Sequence, residues 1–119
     1  MDTVTALAER QVDAYNRKDM DAWLDTYAPD AEQYDIDGKL LARGHAQMRE
    51  RMAARFAEPD LHAAIIQRIV MGDVVVDYEE VTRNFPEGVG SVRMLCIYRV
   101  ADGRFARATF ALGDKVLRR

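Results

Sequence analysis

The sequence predicts a single α+β domain in which a curved, mostly antiparallel sheet wraps over three N-terminal helices. Two observations support this fold class. Apolar residues follow helical spacing in the first half of the chain and change to strand-like alternation from Leu61 onward. Short turn sequences such as Met71-Gly72-Asp73 and Ala101-Asp102-Gly103 separate the extended stretches, which implies antiparallel neighbours. Because the helices must cover one face of the sheet, we expect a cone whose open end forms a pocket.

Composition indicates one ordinary globular domain spanning residues 1–119. Of the 119 residues, 49% are apolar and 31% are charged, as in soluble proteins. The net charge of −3 is spread along the chain without a basic stripe, which argues against nucleic-acid binding. The single cysteine excludes an internal disulfide, and with two histidines neither a metal site nor a cofactor is expected. The sequence lacks a signal-peptide pattern and a membrane-length apolar run, so a cytoplasmic location is predicted.

Two short helices are predicted before the first strand. The apolar stripe of the first comprises Val4, Leu7, Ala8, Val12 and Tyr15. Asp19 is placed to cap the start of the second, and Pro29 is expected to end it. The apolar stripe of this second helix comprises Met20, Trp23, Leu24 and Tyr27.

A short strand pair and a third helix come next. The first strand is predicted to end at Asp35, before a tight turn at Asp37-Gly38. The third helix begins after Gly44 and ends at Glu58-Pro59-Asp60. One face of this helix is expected to carry Met48, Met52 and Phe56, and the opposite face Arg49, Arg51 and Arg55.

Four long strands are predicted over residues 62–71, 74–84, 91–100 and 104–112. In the third of them, alternation places Cys96 on the inner face together with Val92, Met94, Tyr98 and Val100. The same alternation turns Leu95 and Ile97 outward, flanked by Arg93 and Arg99. An outer sheet face of this kind suggests a partner surface, most simply that of a homodimer.

Three stretches resemble a known superfamily: residues 14–23 (AYNRKDMDAW), 27–31 (YAPDA) and 98–105 (YRVADGRF). With the order helix, helix, strand, helix and four long strands, the chain resembles the nuclear transport factor 2-like superfamily, in its ketosteroid isomerase and SnoaL-like polyketide cyclase branch. The resemblance covers nearly the whole chain and implies a cystatin-like α+β barrel. It does not settle the reaction, because this fold carries isomerases, cyclases, hydrolases and plain binding modules.

The resemblance implies that Asp35 is a general base. In ketosteroid isomerases the catalytic aspartate lies in the first strand, eight residues after the aromatic residue that closes the second helix, and counting from Tyr27 reaches Asp35. The two oxyanion donors of the isomerases fall on Gln11 and near Cys96, so neither original group is present. Since each lost donor costs about 3–4 kcal/mol of transition-state stabilisation, steroid isomerisation at the efficiency of that family is not expected.

The predicted ligand is a small hydrophobic carbonyl or polycyclic compound, bound without a cofactor. Gln11, Tyr15 and Tyr98 are the expected hydrogen-bond donors. The residues expected to contact the ligand are Gln11, Tyr15, Trp23, Met52, Phe56, Met94, Cys96, Tyr98 and Phe110.

Two alternatives remain open at this point. Asp35 could instead hold the turn that follows it through backbone hydrogen bonds. The whole domain could then be a non-catalytic ligand-binding or dimerisation module. Asp77 and Glu79 are interpreted as members of a solvated sheet face, and an arginine needed for epoxide-hydrolase chemistry would have to come from Arg93 or Arg99.

Overall fold

The computed structural model describes residues 3–118 and confirms the α+β class. The helices are α1 (Thr3–Asn16), α2 (Met20–Asp25) and α3 (Gly44–Phe56). The strands are β1 (Tyr27–Asp35), β2 (Leu40–Arg43), β3 (His62–Met71), β4 (Val74–Phe85), β5 (Gly88–Ala101) and β6 (Arg104–Leu117). Among the described helices, none is long and apolar enough to cross a membrane.

The six strands form one curved sheet in the order β2-β1-β6-β5-β4-β3. Strands β3 to β6 are a consecutive antiparallel meander, as predicted from their short connections. Strand β1 joins the far side of β6 in parallel and pairs with β2 in the antiparallel sense. The helices pack against the inner face, where α1 contacts β3 and α3 contacts β1. The N-terminal strand and the last strand are therefore brought side by side.

Helix α2 ends earlier than predicted. Asp19 caps its start as expected, with Oδ1 accepting from the Ala22 amide at 3.1 Å. At the other end, the Thr26 hydroxyl donates to the Trp23 carbonyl at 2.7 Å, and the Thr26 carbonyl accepts from the Phe105 amide. Because this hydrogen bond ties Thr26 to β6, Tyr27 is the first residue of β1 rather than the last residue of a helix.

The last two strands are longer than predicted because the loop before β5 is short. Phe85 pairs with Gly88, so only the Pro86-Glu87 dipeptide lies between β4 and β5. Strand β6 continues to Leu117, where it still pairs with Gly90. These extended strands lengthen one wall of the cone.

An aromatic cluster joins α2 to the inner face of the sheet. The Trp23 ring lies 5.0 Å from that of Tyr27, and Tyr98 stacks on Phe105 at 4.3 Å between ring centroids. Such pairs stabilise a core beyond the area that they bury. The predicted inward orientation of Cys96 and Tyr98 is confirmed, since both are buried.

The prediction of a solvated face on β4 is wrong. Asp77 and Glu79 are only 1% and 7% exposed. Along β4 they lie at every second position together with the buried Val75 and Val81, and more exposed residues lie between them. Because side chains of one strand alternate between faces, the two carboxylates share the inner face with those valines. Two ionisable groups therefore lie inside the cone.

Candidate functional site

The helices and the inner face of the sheet enclose a cavity of about 560 Å³. This volume falls within the range of small-molecule sites. Phe56 does not line the cavity, because its ring packs behind the wall, edge-on to Tyr15 at 5.5 Å and to Trp23 at 5.9 Å. The other residues predicted at the site do line it: Gln11, Tyr15, Trp23, Asp35, Met52, Met94, Cys96, Tyr98 and Phe110.

Asp35 lies at the end of β1, where one carboxylate oxygen is committed to the following turn. Its Oδ1 accepts from the amides of Asp37 at 3.0 Å and Lys39 at 2.9 Å. Within residues 3–118 no hydrogen bond reaches Oδ2. The side chain is half-buried and belongs to the cavity wall. The turn-holding interpretation is therefore correct for one oxygen, while the other makes no hydrogen bond to the described residues.

Glu79 projects from β4 into the same cavity and was missed as a site residue. The Cys96 thiol donates to its Oε1 at 2.9 Å. Burial raises the pKa of Glu79 to about 7, and the nearby Asp77 charge acts in the same direction, while the thiol hydrogen bond opposes both. Burial also raises the pKa of Cys96, which keeps the thiol protonated as a donor. The alternation of Glu79 with Val75 and Val81 was the signal in the sequence that could have identified it.

The second buried carboxylate, Asp77, is neutralised by a cation from the neighbouring strand. Arg68 on β3 donates through Nε and Nη2 to the two Asp77 oxygens, at 2.6 and 2.9 Å. Such a bidentate pair is the strong geometry for guanidinium and carboxylate. Asp77 is not part of the cavity wall. It therefore supports the site without facing a ligand.

The cavity arginines differ from those that the sequence suggested. Arg93 and Arg99 lie on the outer face, where they pair with Glu80 and Asp73. Those that line the cavity are instead Arg51, Arg55 and Arg83. Met48 and Met52 of α3 are buried and Arg49 is exposed, in line with the predicted division of this helix, but Arg51 and Arg55 also reach the cavity wall beside Met52.

Three buried polar atoms have no hydrogen-bond partner in the described part of the chain: Trp23 Nε1, Tyr27 Oη and Gln33 Nε2. Trp23 and Tyr27 line the cavity. Burial raises the pKa of the Tyr27 phenol, so its hydroxyl is a donor at all ordinary pH values. Buried donors without partners are rare in native structures and call for a ligand or water.

The register relates the two cavity carboxyl groups. Asp35 pairs with Phe110, Phe110 with Cys96, and Cys96 with Asp77, in one row across β1, β6, β5 and β4. Two strand spacings separate Asp35 from Cys96, a distance of about 10 Å between Cα atoms. Glu79 accepts a hydrogen bond from Cys96 at one end of this row, and Phe110 lies between Cys96 and Asp35 in the register. A flat apolar molecule lying on Phe110 could contact both carboxyl groups.

No group of three or more histidine, cysteine, aspartate or glutamate side chains in residues 3–118 is arranged to hold a metal ion.

Comparison with known proteins identifies a matching domain family and solved structures of similar fold. A family model described as a SnoaL-like domain matches residues 8–108. A cystatin-fold protein from Novosphingobium aromaticivorans superposes with a TM-score of 0.82 at 27% identity, covering 92% of this chain and 97% of that one. No significant match is found among curated proteins.

Two further solved structures share the fold at lower identity. A candidate SnoaL-like polyketide cyclase from Jannaschia sp. CCS1 has a TM-score of 0.79 at 20% identity, covering 92% of this chain and 85% of that one. A candidate ketosteroid isomerase from Kribbella flavida DSM 17836 has a TM-score of 0.78 at 16% identity, covering 94% and 78% respectively. At these identities the likeness concerns the fold.

Proposed function

The chain belongs to the SnoaL-like domain family, and from this we propose that it binds a small apolar carbonyl or polycyclic compound and catalyses proton transfer on it. The observation that carries the proposal is Glu79, a carboxyl group in the wall of an apolar cavity whose pKa of about 7 suits a general acid or base at neutral pH. Perturbed carboxyl groups in a cleft are typical of functional sites.

In the proposed reaction, Asp35 Oδ2 removes a proton from the carbon next to the ligand carbonyl. The electron pair of the broken C–H bond forms the enolate, and its negative charge develops on the carbonyl oxygen. The protonated Glu79 carboxyl donates a hydrogen bond to that oxygen. If the ligand carries a C=C bond next to the deprotonated carbon, the enolate is conjugated with it, and return of the proton from Asp35 to the far carbon of that bond shifts the double bond and gives an isomer. No cofactor takes part in this step.

The position of Glu79 supports this assignment. By the family resemblance, the protonated carboxyl donor of ketosteroid isomerases falls near Cys96 in this chain, where no carboxyl group stands on β5. Glu79 brings a carboxyl group to within 2.9 Å of the Cys96 sulfur from the neighbouring strand. The neutral carboxyl that the site lacks on β5 can thus be supplied by β4, where burial of the Glu79 side chain strengthens its hydrogen bonds.

Exchange of α-protons for deuterium in a panel of cyclic apolar ketones, followed by proton NMR, tests the reaction. Asp35→Asn is expected to slow exchange by about 100-fold or more, because the proton acceptor is lost. Glu79→Gln should slow it by a similar factor, since an amide is a weaker donor to a developing oxyanion than a carboxylic acid. Asp37→Asn, which alters an exposed carboxylate of the same turn, is the matched control and should leave the rate unchanged.

The second candidate function is that of a non-catalytic ligand-binding module, and the same experiment tests it. If ketones bind to the cavity but the wild-type protein exchanges no faster than buffer, the chain is a binding module. The two hydrogen bonds from turn amides to Asp35 Oδ1 favour that alternative. The exchange experiment separates the two functions directly.

We also propose that the outer sheet face forms a homodimer. The register aligns Ile69, Val76 and Ile97 in one row across β3, β4 and β5, and Leu95 lies on the same face. Ile69 is 53% exposed and Leu95 is 40% exposed. A contiguous apolar stripe of this kind is costly to leave in water, and a second copy of the same face would cover it.

Sedimentation velocity should therefore give twice the mass of one chain, and Leu95→Lys should give the mass of a single chain. The reason is that a lysine on this face would place like charges opposite each other across a twofold interface. Ile36→Lys, in the exposed β1–β2 turn, is the control and should leave the dimer intact. A wild-type monomer at high concentration would contradict the proposal.

A further inference from the structure

Arg51 is the cavity arginine whose charge is not compensated. It projects from α3, where Nη1 donates to the Gln33 amide oxygen at 3.2 Å and the guanidinium lies 5.7 Å from the centroid of the Phe110 ring. Both contacts are to neutral groups. Within residues 3–118 it forms no ion pair. Burial lowers the pKa of Arg51, and the like charge of Arg55 lowers it further.

The other cations that line the cavity do have carboxylate partners. Arg83 forms a bidentate pair with Glu58 at 2.8 and 2.9 Å, and Arg55 contacts the same carboxylate at 3.4 Å. Lys115 pairs with Glu87. The fold thus provides carboxylate partners for three cations. The fourth, Arg51, is exposed along part of its side chain and lines the cavity without an anionic partner among the described residues.

A second observation points to a ligand at the same end of the cavity. The Tyr27 hydroxyl is fully buried, lines the cavity and makes no hydrogen bond of good geometry in the described part of the chain, although the Gln33 amide and the Tyr98 hydroxyl lie next to it. The Arg51 charge acts on this phenol, and both side chains adjoin Gln33, whose Nε2 is also unpartnered. The Arg51 guanidinium and the Tyr27 O–H therefore lie at the same end of the cavity. A charged bidentate donor beside a neutral donor is a combination that a carboxylate can accept.

We propose that the ligand of this cavity is an apolar monocarboxylic acid, held by Arg51 and the Tyr27 hydroxyl through its carboxylate. This inference rests on the proposed function for the location of the site and adds the class of compound. The remainder of the ligand contacts the apolar wall formed by Met52, Met94 and Phe110. A guanidinium binds a carboxylate in a bidentate manner, which a neutral carbonyl cannot reproduce.

A monoanion fits better than a phosphate or a dicarboxylate. Arg51 supplies one uncompensated positive charge, and the cavity wall also contains the carboxyl groups of Asp35 and Glu79. A second negative charge on the ligand would face one of these groups instead of a cation, and like charges at close range oppose binding. The acid group and the reacting carbon are therefore expected at different ends of the molecule.

Binding of adamantane-1-carboxylate and of its neutral amide, followed by the fluorescence of Trp23, tests the inference. Trp23 is the single tryptophan of the chain and lines the cavity, and neither probe absorbs where it is excited. At pH 6 the wild-type protein should bind the carboxylate at least tenfold more tightly than the amide. Arg51→Gln should remove that preference, weakening carboxylate binding by tenfold to about a hundredfold while leaving the amide unaffected.

Two further variants serve as a control for Arg51→Gln and as a test of the Tyr27 hydroxyl. Arg49→Gln, on the same helix in an exposed pair with Asp21, should bind both probes as the wild type does. Tyr27→Phe removes a buried donor that has no partner, so it should raise the midpoint of thermal unfolding and weaken carboxylate binding several-fold. A purely structural role for the hydroxyl would lower that midpoint and leave binding unchanged.

The inference is overturned if the amide binds as tightly as the carboxylate, if Arg51→Gln binds both as the wild type does, or if neither probe binds. Failure here is distinguishable from failure of the proposed reaction. Exchange of ketone protons without a preference for the acid would retain the reaction and reject the ligand class. Selective acid binding without exchange would retain the ligand class and reject the reaction.

Discussion

Replacing Asp77 with alanine is expected to lower the free energy of unfolding by about 3–5 kcal/mol, a large part of the stability of a domain of this size. The carboxylate is 1% exposed and receives two hydrogen bonds from Arg68. The substitution leaves the Arg68 guanidinium among buried groups without its partner, and desolvation of that charge is no longer offset. Urea denaturation followed by circular dichroism measures the loss.

The control is the exposed pair of Asp73 and Arg99. Asp73 is 55% exposed at its side chain and lies 3.3 Å from Arg99, so Asp73→Ala should cost less than about 1 kcal/mol. Replacing both members of the buried pair, as Arg68→Met with Asp77→Leu, should recover much of the stability lost by Asp77→Ala, because no unpaired charge remains. Equal losses for Asp77→Ala and Asp73→Ala would show that the buried pair has no special importance.

The stability of the protein is expected to fall as the pH rises through the titration of Glu79. The folded-state pKa of about 7 is above the ordinary value of 4.5, so the folded state retains a proton that the unfolded chain has lost. Below pH 4.5 both states are protonated and the group has no effect. Between that value and pH 7 the cost of burying the ionised group grows, and above pH 7 it amounts to about 3 kcal/mol.

Free energies of unfolding for wild type and Glu79→Gln at a series of pH values between 4 and 9 isolate this contribution. Other ionisable groups titrate alike in both proteins, so the difference between them reports Glu79. We expect the glutamine variant to gain stability relative to the wild type as the pH rises. A difference that is constant with pH, or that grows toward acid, would show that the carboxyl is not desolvated in the folded protein.

Much of the fold follows from local patterns that are visible in the sequence. Asp19 caps α2 because its side chain reaches an amide three residues ahead. The inward orientation of Cys96 and Tyr98 follows from the alternation of β5. The early end of α2 was not predictable in this way. It depends on the hydrogen bond between the Phe105 amide and the Thr26 carbonyl, residues that are far apart along the chain.

The residues of the candidate site were also predictable only in part. The family resemblance was enough to predict Asp35 as a site residue. Only the folded geometry shows that turn amides hold one of its oxygens and leave the other without a hydrogen bond. Glu79 was visible as an alternating residue and was assigned to the wrong environment. Its true environment depends on α1 covering that face of β4, and on the Cys96 thiol that β5 places beside it.

The sequence by itself determined the order of the elements, the alternation of faces along each strand and the presence of Asp35 at the end of β1. Only the tertiary structure decided which polar residues are enclosed and which have partners. Arg68 and Asp77 compensate each other across two strands, whereas Arg51 finds no carboxylate within the described residues. The physical reason is that periodicity is a property of consecutive residues, while burial and charge compensation depend on groups that only folding brings together.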